Sequence, residues 1–148
     1  MKRHGLLLLL MLAASLSLAD AATGPSVRAS TIWIRQAPPG VAVLAGYFTL
    51  QNLTDKPLTL TAVESRDFAA VEMHRSLVKD GVEEMEPVQR IVIPAQGSVE
   101  FKPGGYHLMM MQPKKNLFAG DMAEVMLTFS DGSQLAILAP VRHDPPQR

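Results

Sequence analysis

The 148-residue sequence contains no cysteine, and this absence excludes several kinds of site. A blue-copper electron-transfer centre needs a cysteine ligand, a thiol–disulfide oxidoreductase needs reactive thiols, and structural zinc sites usually use cysteine too. A lipid anchor on an N-terminal cysteine is not expected either. Without disulfides, the folded chain must depend on its hydrophobic core alone.

Excess charge and long apolar segments are also missing. Lysine plus arginine and aspartate plus glutamate each number 14, so neither nucleic acid nor an acidic membrane surface would find a basic field to bind. Beyond the N-terminal segment, no run approaches the roughly 20 apolar residues of a membrane-spanning helix. No P-loop, dinucleotide fingerprint or HExxH sequence is present. We therefore expect a protein that is not an enzyme and has no stable membrane insertion.

The N-terminus has the pattern of an export signal. Two basic residues precede the apolar run 6–14, and residues 19–21 read Ala-Asp-Ala, which fits the A-x-A cleavage pattern. We predict a signal peptide over residues 1–21 and a single mature domain over residues 22–148 with a short loose C-terminal tail. The alternative is that the segment stays attached as an N-terminal anchor.

The mature sequence is a series of short β-rich runs separated by turn residues. One helical turn is allowed at 67–70, and Asp80-Gly81 is a strong hairpin signal. Eight or nine strands without a long helix indicate a β-sandwich or barrel. The predicted strands are 27–34, 41–52, 58–64, 71–75, 90–93, 98–102, 106–111, 123–129 and 134–139.

Two histidines and two methionines form the pattern that indicates chemistry. His74, Met85, His107 and Met109 follow the spacing H-x10-M-x21-H-x-M. On a strand, His107 and Met109 point to the same face, whereas on a helix they would lie about 200° apart. His74 and Met85 flank the predicted hairpin, so strand pairing can bring them together.

These residue types suit Cu(I). Thioethers and imidazoles are ligands for this soft ion, whereas calcium and magnesium prefer carboxylates. The alternative is that the methionines only fill the core and the histidines are solvated. Among the other residues, Met73 and Met110 are expected in the core, Trp33 is expected to anchor it, and Met111 is either a hydrophobic rim of the site or a spare ligand.

The sequence resembles the periplasmic Cu(I) chaperones of the PCuA(C) type. The H-x10-M-x21-H-x-M spacing is that family's ligand signature, and all four positions are filled. The resemblance covers nearly the whole mature chain; its segments include 47–50, 71–74, 93–95, 102–109, 120–121 and 127–129.

The resemblance implies an all-β, cupredoxin-like Greek-key β-sandwich or barrel in the periplasm, and a monomer is expected. It implies Cu(I) binding through His74, Met85, His107 and Met109. It also implies delivery to the dinuclear copper centre of cytochrome c oxidase, with oxidase subunit II or its assembly factors as partner. Copper buffering without a dedicated acceptor is the alternative. The tail lacks the His/Met-rich extension that binds Cu(II) in some relatives.

Overall fold

The computed structural model describes residues 25–147, and all regular structure in this part of the chain is β-strand. The predicted signal peptide lies outside the described residues. Between residues 25 and 147 no helix has the length and apolarity needed to cross a bilayer. The all-β prediction is confirmed.

Between residues 25 and 147, ten strands form one mixed sheet. The strands are β1 (Val27–Arg35), β2 (Val43–Asn52), β3 (Leu58–Glu64), β4 (Phe68–Lys79), β5 (Val82–Pro87), β6 (Ile91–Ile93), β7 (Ser98–Phe101), β8 (Tyr106–Pro113), β9 (Met122–Phe129) and β10 (Gln134–Arg142). Neighbouring strands follow the order β5-β4-β8-β7-β2-β1-β10-β9-β3-β6, and β8 also pairs with β2. The β1–β10 and β7–β8 pairs are parallel, and the other pairs are antiparallel.

The sheet surrounds one hydrophobic core, to which its strands contribute alternate side chains. In β9, every second residue from Ala123 to Phe129 is buried, and those between them are partly exposed. In β8, Leu108 and Met110 are fully buried in the same core. Their neighbours His107 and Met109 therefore project from the opposite face, which we call the site face.

The region of β4 and β5 differs in part from the sequence-based expectation. The helical turn allowed at 67–70 does not form, because Phe68 is buried in the core and pairs with Pro113 as the start of β4. The hairpin at Asp80-Gly81 is confirmed. Asp80 and Gly81 have φ values of 52° and 80°, as expected for a tight turn with two left-handed residues.

Gly46 allows β2 and β8 to pack closely behind the site face. A Cβ at this position would lie 3.0 Å from the Sδ atom of Met110 and 3.2 Å from the Cβ atom of Leu108. Both neighbours are fully buried, so neither side chain can turn aside into solvent. Leu108 lies between His107 and Met109 on β8. Its packing against Gly46 therefore helps to fix the backbone position of both neighbouring residues.

We predict that Gly46→Val lowers the free energy of unfolding by about 1–3 kcal/mol, because the added carbons overpack the core. Urea unfolding measures the effect. Gln51→Val is the matched control, since Gln51 is exposed on the same strand and an exposed substitution is expected to change stability by less than about 0.5 kcal/mol. Equal unfolding midpoints for the two variants would contradict the prediction.

Candidate metal centre

Strand register places all four candidate ligands on the site face of three neighbouring strands. His74 of β4 lies directly opposite His107 of β8. Met109 follows His107 by two residues on β8, and Met85 of β5 lies opposite Ser76, two residues beyond His74 on β4. Since residues two apart on a strand share a face, the pairing turns a sequence pattern spread over 36 positions into one surface cluster.

The two imidazole rings face each other at a distance that one ion can bridge. Their centres are 6.0 Å apart, and the rings are inclined by 44°. Metal–nitrogen bonds of about 2 Å allow ring centres up to roughly 6 Å apart. His107 is 5% exposed, and the His74 side chain is 14% exposed. The pair is thus largely shielded from water.

A carboxylate fixes the tautomer of His74. Its Nε2 atom lies 3.0 Å from Oε2 of Glu72, and an ionised carboxylate can only accept a hydrogen bond. The proton of a neutral ring is therefore on Nε2, which leaves a lone pair on Nδ1. That Nδ1 atom is buried and has no hydrogen-bond partner within the described part of the chain.

A backbone carbonyl fixes the other tautomer in His107, with the proton on Nδ1. Its Nδ1 atom lies 3.1 Å from the oxygen of Gly105, so Nδ1 donates and the lone pair is on Nε2. This Nε2 atom is the other buried histidine nitrogen without a partner among residues 25–147. Buried polar atoms are normally satisfied. Two orphaned nitrogens, each with a lone pair and on rings whose centres are 6.0 Å apart, fit a metal ion that these histidines would share.

The two thioethers differ in exposure. Met109 is half-buried between Glu72 of β4 and Ala45 of β2, whereas Met85 is 57% exposed on the edge strand β5. Both methionines and His107 line a cavity of about 280 Å³. Met111, also on the site face, lies beyond Met109 opposite Ala70 and Val43.

Trp33, expected as a core anchor, is buried outside the main core. It is 3% exposed, yet it pairs with Tyr47 on the site face, and the ring centres are 4.8 Å apart. The exposed Arg35 guanidinium stacks on both rings. Burial raises the pKa of the Tyr47 hydroxyl, and the Arg35 charge partly offsets that increase.

The acidic stretch around Met85 forms ion pairs on the other side of the hairpin. Lys79 contacts Glu84 at 3.4 Å and Glu86 at 2.8 Å, and Arg75 lies 3.9 Å from Glu86. Hydrogen bonding to Lys79 is the main cause that lowers the pKa of the Glu86 carboxyl. Glu83 shares the cavity with Met85, and none of the ion pairs in the described chain includes Glu83.

The donor set favours a soft ion. Within the described residues, no three His, Cys, Asp or Glu side chains converge in a way that could hold a metal. A site for a hard ion, or a typical zinc site, therefore lacks its ligands here. Two imidazoles supplemented by thioethers match the preference of Cu(I) instead.

Two neighbours of the site were not identified from the sequence. Glu72 lies two positions before His74 on a strand, so strand alternation alone places it on the ligand face. Arg35 stands in the same relation to Trp33. The sequence signal for both residues is the spacing of two positions, which places side chains on one face of a strand.

Comparison with known proteins identifies the family of this chain. Residues 27–141 match the family model described as "Putative lipoprotein LpqE-like". Protein RP573 of Rickettsia prowazekii is 34% identical over 103 residues, which cover 69% of this chain and 57% of RP573. "Putative lipoprotein Lxx21020" of Leifsonia xyli is 30% identical over 117 residues, which cover 78% of this chain and 69% of the relative. The match with RP573 thus spans little more than half of that relative.

Solved structures agree with the sequence comparison. The copper-bound PCuAC domain from PmoF2 superposes with a TM-score of 0.68 at 25% identity, covering 81% of this chain and 95% of that domain. The Cu(I) form of DR1885 from Deinococcus radiodurans gives 0.62 at 25% identity, covering 85% of this chain and 84% of DR1885. The cupredoxin-like fold predicted from the sequence is therefore confirmed. The chain belongs to the LpqE-like family, a family of the PCuAC type, and has the fold of a copper-binding chaperone domain.

Proposed function

We propose that this protein binds one Cu(I) ion through His74, Met85, His107 and Met109. The observation that carries the proposal is the pair of buried, unpartnered nitrogens, Nδ1 of His74 and Nε2 of His107, on facing strands. The thioethers of Met109 and Met85 lie on the same face and complete a soft donor set. The Cu(I) form of DR1885, which shares the fold, supports the choice of ion and of its oxidation state.

The ligand set suits a carrier rather than a catalyst or a permanent metal site. Two neutral nitrogens and two neutral sulfurs leave the ion its single positive charge and include no thiolate that would hold it strongly. Met85 is exposed on an edge strand, so an acceptor can approach the ion from that side. A hydrolytic site, by contrast, keeps an open position for water on a Lewis-acidic metal.

We further propose that the chain acts outside the cytoplasm, in the periplasm, and delivers copper to the dinuclear centre of cytochrome c oxidase. The N-terminal sequence pattern supports export, and so do the lipoprotein names of the family and of Lxx21020. The acceptor in this proposal is oxidase subunit II or an assembly factor that serves it. The sequence resemblance supports that acceptor.

Anaerobic transfer tests the delivery proposal. The Cu(I)-loaded chain is mixed with the copper-free dinuclear-centre domain of subunit II, the proteins are separated, and copper is measured in each. We expect most of the ion to move to the acceptor domain. In cells, deletion of the gene should impair oxidase assembly under low copper. Tight binding without transfer, together with normal assembly in the deletion strain, would instead support copper buffering.

A further inference from the structure

Arg35 presents a positive charge that is held in place beside the candidate copper site. Its guanidinium carbon lies 5.4 Å from the centre of the Trp33 ring and 5.8 Å from that of Tyr47, within the range of cation–π contacts. Both rings are buried. Because this stacking orders the guanidinium in advance, a ligand that binds it loses little side-chain entropy.

The strand register connects Arg35 directly to the ligands. Arg35 of β1 lies opposite Ala45 of β2, which lies opposite Met109 of β8. Neighbouring strands are about 4.8 Å apart, so the backbones at Arg35 and Met109 are separated by only two strand spacings. Arg35 also lines the cavity that contains Met85 and His107.

No carboxylate of the described chain pairs with this guanidinium. The ion pairs of residues 25–147 do not include Arg35. Glu72 is engaged by His74, and Glu83 lines the same cavity without forming an ion pair with Arg35. A guanidinium stacked on two rings keeps its N–H edge free, and that edge matches a carboxylate in bidentate geometry.

We propose that Arg35 binds a carboxylate of the protein that exchanges copper with this chain. The inference rests on the proposed function, because the cargo adds charge to the same cavity. Neutral ligands leave Cu(I) with its charge of +1, so loading makes this cavity, which also contains the Glu83 carboxylate, one unit more positive toward an acidic partner. Such a partner binds the loaded form more tightly and releases the chain once the ion has moved.

A hexaglutamate peptide provides a direct probe that does not depend on the identity of the acceptor. It is titrated into the apo and the Cu(I)-loaded chain, and NMR follows the Nε–H signal of Arg35 and the indole N–H signal of Trp33. We expect both signals to shift, with binding up to roughly fivefold tighter in the loaded form, the size of one exposed charge interaction. Inorganic phosphate serves as the small-anion probe and should bind Arg35 more weakly than the peptide.

Variants separate the role of Arg35 from general charge effects. Arg35→Gln should weaken peptide binding to both the apo and the loaded form, and Arg35→Lys should retain part of that binding because the charge remains without the planar fork. Arg28→Gln is the matched control, since Arg28 is exposed on the same strand and should leave peptide binding unchanged. All three variants should still bind one Cu(I) ion, and circular dichroism should verify that they are folded.

Three results would overturn the inference: equal losses in Arg35→Gln and Arg28→Gln, equal binding of apo and loaded forms, or phosphate binding as strong as peptide binding. The last result would indicate a small-anion site. If the wild-type chain binds no Cu(I), the proposed function fails first. The apo titration then still decides whether Arg35 binds a carboxylate, so the two failures are distinguishable.

Discussion

His107→Ala should weaken Cu(I) binding by more than about a hundredfold, exceeding the 10–100-fold loss typical when a residue behind a ligand is removed. The substitution removes the more buried of the two imidazoles and leaves the proposed site with His74 as its one imidazole. Competition against a chromophoric Cu(I) chelator under anaerobic conditions measures the dissociation constant. Met109→Leu, which keeps the shape and loses the sulfur, should produce a strong loss as well.

The chain offers a matched control for this prediction. His143 is exposed beyond the last strand, so His143→Ala should leave the dissociation constant unchanged. Circular dichroism should show native β-structure in every variant, because the ligands project away from the main core. Wild-type affinity in both His107→Ala and Met109→Leu would eliminate the proposed copper site.

Glu72→Ala should reduce Cu(I) affinity by roughly 10–100-fold although Glu72 is not itself a proposed ligand. Its carboxylate accepts a hydrogen bond from the Nε2–H group of His74 and so keeps the lone pair on Nδ1, which is buried and unpartnered within residues 25–147. Without the carboxylate, the ring can rotate or adopt the other tautomer. Nitrogen-15 NMR of the His74 ring in the apo protein reports this tautomer directly, and chelator competition reports the affinity.

Two further substitutions make the test of Glu72 specific. Glu72→Gln keeps an oxygen that can accept the His74 proton, so it should restore most of the affinity. Glu100→Ala removes an exposed carboxylate of β7, which pairs with Lys102 at 2.9 Å, and should have no effect. A native tautomer and native affinity in Glu72→Ala would show that the strand backbone alone orients His74.

The sequence was most informative where strand alternation applied over a short distance. The i, i+2 spacing of His107 and Met109 predicted a shared face, and the side chains between and beyond them, Leu108 and Met110, are in the core as expected. The Asp80-Gly81 turn also predicted a hairpin between His74 and Met85. These features depend on local backbone geometry, which the sequence specifies directly.

Pairing between distant strands could not be predicted in the same way. That His74 lies opposite His107 depends on the register of β4 against β8, with 32 residues between them in the chain. Trp33 is a second example. A large apolar residue is expected to be buried, but the sequence does not indicate on which face of the sheet. Its place under Arg35 follows from a register shift between Ser30 and Trp33 on β1.

The alternation of β8 has a consequence for how this protein can evolve. Leu108 and Met110 stabilise the fold from one face, while His107 and Met109, which we propose as copper ligands, project from the other face. Substitutions that adapt the cargo need little compensation in the packed interior, and those that adapt thermal tolerance need not disturb the donors. The strand thus separates two selective pressures by nothing more than the two-residue period of an extended backbone.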